Sequence, residues 1–207
     1  MLSYIKSATA PINRYIDLRF LIKFVCLFLA FYYINLFFVQ LALPGKMHNA
    51  FFVQHFNYIG WLTESLTQTA NFIAHLFGLN SFVTGNNVLW AKQGGHRVIV
   101  LWQCIGLGVF SFWFAFILAQ HITVKKKILL GIGGFLAIWF LNCLRIGLLV
   151  VALDANLKPW KKSLKFIGNV NHHDIFNFVC YSFILLMIVA YYKISTRKKQ
   201  AAVSNQR

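Results

Sequence analysis

Long apolar runs divided by short basic clusters organise this chain. Residues 20–43 and 128–153 are nearly unbroken in Phe, Leu, Ile and Val. At about 1.5 Å per residue, each is long enough to cross roughly 30 Å of hydrocarbon. Residues 104–122 and 174–194 are shorter runs of the same kind, so about four spanning helices are expected. Residues 49–79 differ. They mix Phe, Trp and Leu with His55, Asn57, Glu64, Gln68, Asn71 and His75, which predicts a helical stretch lying at the interface or dipping in and returning. In residues 81–100, Val88-Leu89-Trp90 and Val98-Ile99-Val100 flank Gln93-Gly94-Gly95-His96. Two β-rich runs about a Gly-Gly turn predict a small hairpin, its second strand leading into Cys104.

Composition agrees with this pattern and excludes a soluble domain. In 207 residues, 59% are hydrophobic and 12% charged, and the mean hydropathy is +0.64, values of a multi-pass helical membrane protein. The expected fold class is an all-α multi-pass membrane bundle with an interfacial or re-entrant helical stretch and a small hairpin at its outer side. Residues 1–19 read as a basic cytoplasmic leader, 20–195 as one transmembrane domain and 196–207 as a cytoplasmic tail. The first run is too long for a signal-peptide core and lacks a small-residue cleavage site, so it is read as an uncleaved anchor ending at Pro44-Gly45.

A net charge of +16 raises nucleic-acid binding, but its distribution argues otherwise. Lys and Arg gather beside the apolar runs, at Lys6, Arg14 and Arg19, at Lys125, Lys126 and Lys127, and at Lys193, Arg197, Lys198 and Lys199. This is the positive-inside pattern, with the cations facing anionic membrane lipids. No basic stripe interleaved with aromatics, as nucleic acid would need, is present. Against this topology, Lys158, Lys161, Lys162 and Lys165 fall in a loop assigned outside; the three cytoplasmic clusters still hold more cations.

With that topology, Cys104, Arg145 and His173 all lie near the outer ends of apolar segments. Among four cysteines, Cys26 and Cys180 sit inside apolar helices as packing residues. No spacing suggests a metal site or a disulfide framework, and no cofactor is expected. Cys104 opens a helix beside Gly106 and Gly108, where unpaired N–H groups and the dipole favour a thiolate; on position alone a structural cysteine is slightly favoured over a nucleophile. Arg145 is costly in hydrocarbon, by about 2.5–3.5 kcal/mol at mid-membrane. It is either a snorkelling or paired arginine, or a fixed guanidinium for an oxyanion or carboxylate. His172-His173-Asp174 starts the last run. His173 is either a solvated loop histidine or an acid–base partner for the thiol, with Asp174 or Asn177 placed to orient its ring. His48, His55, His75, His96 and His121 show no such convergence, and His96 and His121 are expected to face water.

Cys104-Ile105-Gly106, then Asn142-x-x-Arg145-Ile146, then His173 with Asn177 and Tyr181 resembles the exosortase/archaeosortase family. That family's pattern is Cys-Ser-Gly or near it, a downstream Asn-x-x-Arg, and a histidine. Gly85 and the Gly94-Gly95 turn also fit its segment before the cysteine. The likeness covers residues 82–181, the expected catalytic core. Ile105 stands where the family has a small polar residue, Asn177 where many members have Gly, and the chain has fewer spans before the cysteine. Spacing to Asn177 and Tyr181 favours His173 over His172 as the family histidine.

The resemblance implies a membrane cysteine transpeptidase or protease of the bacterial inner membrane, its site on the outer face. Its substrates would be exported proteins with a C-terminal sorting signal and membrane tail, and its acceptor a lipid or glycan. Cys104 would be the nucleophile, Arg145 the oxyanion stabiliser and His173 the acid–base group, with Asn142, His172, Asp174 and Asn177 in support. Two other classes fit the apolar pattern: a small transporter using Arg145 as a counter-ion, and a polysaccharide-assembly membrane protein needing neither residue.

Overall fold

The computed structural model describes residues 18–45, 47–92 and 95–155, with positions 178, 179, 182, 185 and 186. Two compact units are present, Met1–Asp154 and Ala155–Arg207. In the first, helices α1 (Leu18–Ala42), α2 (Ala50–His55) and α3 (Tyr58–Leu76) precede strands β1 (Ser81–Thr84), β2 (Val88–Ala91) and β3 (Arg97–Ile99). A 3-10 turn over Trp102–Ile105 then leads to α4 (Leu107–Ala119) and α5 (Val124–Asp154). Three described segments are long and apolar enough to cross a membrane: Leu18–Ala42, Trp102–Ala119 and Val124–Asp154. In the second unit, positions 178, 179, 182, 185 and 186 are helical, inside the run expected as a fourth span.

Helices α1 and α4 pack antiparallel through a ladder of phenylalanines. Phe20, Phe24 and Phe28, spaced four apart on one face of α1, meet Phe116 and Phe112 edge-on. The ring centroids are 5.9 Å apart for Phe20–Phe116, 5.1 Å for Phe24–Phe112 and 6.2 Å for Phe28–Phe112. Each such pair adds about 0.5–1.5 kcal/mol beyond its buried area. Above the ladder, Asn35 Nδ2 donates to Ser111 Oγ at 3.1 Å, and Tyr58 Oη donates to Asn35 Oδ1 at 2.7 Å. These isolated polar residues of apolar runs therefore satisfy one another, as an interior without water requires.

Helices α4 and α5 form the second antiparallel pair. Gly134 lets α4 approach: a Cβ there would collide with the Trp113 indole, whose Nε1 donates to the Leu130 carbonyl at 3.2 Å. At the short connection, Lys127 Nζ donates to the Leu118 carbonyl at 3.0 Å, a cation on the free carbonyls of a helix C-terminus. The Lys125, Lys126 and Lys127 cluster is thus the first turn of α5, not a loop before it.

Residues 49–79 resolve into a descent and a return. Asn49 N donates to the Leu41 carbonyl near the end of α1, and its side chain caps α2 at Phe52 N, 3.0 Å. Phe52 stacks on Phe38 at 5.3 Å, and Tyr58 reaches Asn35, further down α1. Helix α3 then climbs back parallel to α5. Trp139 Nε1 donates to Ser65 Oγ at 3.1 Å, Thr69 hydrogen-bonds Cys143, and a Cβ on Gly147 would lie 2.8 Å from Ile73 Cγ2. The stretch expected to be helical is therefore two helices that double back, α2 beside α1 and α3 beside α5.

The expected hairpin is part of a larger sheet. β2 and β3 pair antiparallel, and β1 adds a third strand on the other side of β2. The short run Phe82-Val83-Thr84 was not expected as a strand; it becomes one by pairing with β2 in the register Phe82↔Trp90. One face of the sheet packs on α3 and α5, burying Ser81, Leu89 and Ala91.

Candidate active site

Cys104 was expected to open a helix running to residue 122. It lies instead in the 3-10 turn, three residues before α4 begins, and is half-buried. Its backbone N donates to the Leu101 carbonyl at 2.8 Å. Gly106 then takes φ +82, ψ +31, a left-handed conformation that few residues other than glycine adopt. The backbone therefore breaks between the thiol and α4. Cys104 stands on a separate turn, not on the first turn of the helix whose dipole was invoked for it.

The turn is fastened to α5 by Asn142. Its Nδ2 donates to the Ile105 carbonyl at 3.0 Å, and the side chain is 2% exposed. The amide lies so close over the backbone that a Cβ on Gly106 would be 2.8 Å from Asn142 Nδ2. Glycine is thus required twice, for its dihedral and for the close approach. The Ile105 side chain, where a small polar residue was the family expectation, is fully buried and anchors the same turn by apolar contact.

Arg145 follows Asn142 by three residues, on the same side of α5 and about 4.5 Å further along its axis. It is half-buried and interacts with other groups of the chain. Cys104, Asn142 and Arg145 therefore occupy one end of the bundle, opposite the end formed by Lys125, Lys126 and Lys127. His172, His173, Asp174 and Asn177 lie outside the described residues, as do Tyr181, Cys180 and the lysines of residues 158–165.

Of the remaining histidines, His48, His55, His75 and His121 are exposed. His96 is not simply in water. It is half-buried, and its Nδ1 is buried without a hydrogen-bond partner among the described residues; the fold of β3 against β2 draws it in, since its carbonyl accepts from Ala91 N at 2.9 Å. Among the described residues no group of three or more His, Cys, Asp or Glu is placed to hold a metal ion.

The Asn142–Ile105 bond was legible only as half of a spacing, Asn-x-x-Arg. The sequence showed the residue types; the partner, a backbone carbonyl 37 positions earlier, had no sequence signal. The Asn35–Ser111–Tyr58 cluster was missed outright, although an Asn and a Ser within apolar runs were its visible sign. No family model, curated protein or solved structure matches this chain.

Proposed function

We propose that this protein is an exosortase-like membrane cysteine transpeptidase or protease. It would cleave a C-terminal sorting signal from exported proteins and pass them to an acceptor at the outer face of the bacterial inner membrane. The observation that supports the reading most is the Asn142 bond to the Ile105 carbonyl, which ties the cysteine's turn to the Asn-x-x-Arg segment.

In this reading the Cys104 thiolate adds to a peptide carbonyl near the substrate's membrane tail, forming a C–S bond and a tetrahedral oxyanion. Arg145 stabilises that charge, a role worth about 2.7–4 kcal/mol for an oxyanion-hole donor in other enzymes. Collapse breaks the C–N bond, and the imidazolium of His173 protonates the departing amine. The neutral imidazole then takes a proton from the acceptor's amine or hydroxyl, or from water. That nucleophile displaces Cys104 as thiolate, closing the cycle. Asn142 holds the turn, and His172, Asp174 and Asn177 are the groups proposed to orient His173.

The test is to delete the gene in its host and read the C-terminal peptides of membrane and envelope proteins. Wild-type protein restores a trimmed set; Cys104→Ala does not, although it accumulates at the wild-type level. Restoration by Cys104→Ala overturns the enzyme reading. If activity in the host survives Cys104→Ala and is lost in Arg145→Ala, the transporter reading takes its place; survival of both favours an assembly protein.

A further inference from the structure

We infer that the free face of the three-stranded sheet is a lipid-binding surface, seated in the headgroup layer of the membrane leaflet at the Cys104 end of the bundle. This does not depend on the enzymatic reading; it requires only that α1, α4 and α5 span.

The sheet has two unlike faces. Ser81, Leu89 and Ala91 are buried against the helices, while the alternate residues Phe82, Thr84, Val88, Trp90, Arg97 and Ile99 point the other way. That second face is apolar and aromatic at its centre. Phe82 and Trp90 stack across β1 and β2 with centroids 6.3 Å apart and planes within 7°. Arg97 places its guanidinium carbon 5.4 Å from the Trp90 ring centre. Phe82 is 42% exposed, Ile99 43% and Leu101 50%, so the patch has no cover among the described residues.

Depth supplies the occupant. Lys127 marks the basic end of α5 and bonds the last turn of α4. Asn142, which holds the turn after β3, lies about 22 Å from Lys127 along α5, and Arg145 about 27 Å. The first strand starts at this same height: Ser81 Oγ donates to Asn71 Oδ1 at 2.7 Å, and Asn71 is two residues beyond Thr69, the partner of Cys143. A hydrocarbon layer of roughly 30 Å counted from the lysines ends just beyond this level, near Gly147. A guanidinium beside a stacked Trp–Phe pair is the chemistry that partitions to such a boundary, with rings among the upper acyl chains and the cation at lipid phosphate. The same placement sets the Cys104 turn just inside the hydrocarbon boundary.

Nitroxide labels test the inference on the full chain in vesicles of phosphatidylethanolamine and phosphatidylglycerol. All four native cysteines are replaced by Ala, and single cysteines are placed as Phe82→Cys and Ile99→Cys. Leu29→Cys, exposed on α1, is the hydrocarbon reference, and Asn86→Cys, exposed in the β1–β2 turn, is the aqueous one. At 82 and 99, collisions with oxygen should exceed those with a water-soluble nickel chelate several-fold, with a ratio between the two references. Thr84→Cys and Val88→Cys report on the same face should Phe82→Cys disturb the ring stack. Nickel access equal to that at 86 puts the face in water and overturns the inference. Exclusion of both reagents means that protein covers it, which overturns the inference equally.

Discussion

The two halves of α5 hold their neighbours in different ways. In the half near Lys127 the contact with α4 turns on space: Gly134 gives up a side chain so that Trp113 can lie on the helix backbone, its Nε1 bonded to the Leu130 carbonyl. In the half near Arg145 a close steric contact, Gly147 against Ile73, is joined by specific polar ones. Asn142 reaches across to a single carbonyl of a broken backbone, and Trp139 to Ser65. Close packing of small and large residues fixes how near two helices stand and tolerates smooth apolar faces. A buried amide bonded to one carbonyl fixes where a particular turn sits, because leaving that carbonyl unpaired is costly. The first half builds the bundle; the second positions Cys104.

The largest effect is expected where there is no room at all. Gly134→Leu should displace Trp113 and cost about 3 kcal/mol by overpacking, read as a lowered thermal midpoint and a smaller folded fraction in detergent. A variant as stable as wild type would remove the steric half of the contrast. Next is Asn142→Ala, which orphans the Ile105 carbonyl at a cost of about 2 kcal/mol. It should also change the rate at which a membrane-impermeant maleimide labels a protein whose only cysteine is Cys104. Unchanged labelling would mean that Asn142 is not what positions the turn.

Gly106→Ala sharpens the same point. The left-handed φ alone costs about 1–2 kcal/mol for an alanine, before the contact with Asn142 is counted. Gly108, two residues on, is its control: a Cβ there meets only Tyr32 Cε2 at 3.8 Å. Gly108→Ala, inside α4, should be neutral or stabilising by up to about 1 kcal/mol, so equal losses at the two glycines would deny the turn any special geometry. The smallest change is Trp139→Phe, which removes the bond to Ser65 and keeps most of the apolar area. It should cost about 1 kcal/mol and leave Cys104 labelling as it was.

Much of the fold was legible because helices long and apolar enough to cross a membrane announce themselves. Residues 20–43 and 128–153 became Leu18–Ala42 and Val124–Asp154, since a run of that length and apolarity has few other ways to satisfy its backbone. Residues 49–79 stood out as a stretch too polar to span. Their path was undecided until Tyr58 was seen to reach Asn35 and α3 to run beside α5. The third strand was hidden because four residues, Ser81–Thr84, carry almost no periodic signal.

By itself, then, the sequence determined a helical chain with runs long and apolar enough to cross a membrane, its basic end at Lys125, Lys126 and Lys127, and a cysteine following a β-turn segment. Those features depend on local composition and period, which neighbours in the chain already contain. Only the tertiary structure decided that the cysteine leaves the helix for a turn of its own, that Gly106 bends left-handed beneath Asn142, and that the Asn142 and Arg145 stretch of α5 meets that turn. Each depends on a contact between residues far apart in sequence, where a single buried hydrogen bond or the lack of space for one Cβ outweighs local preference.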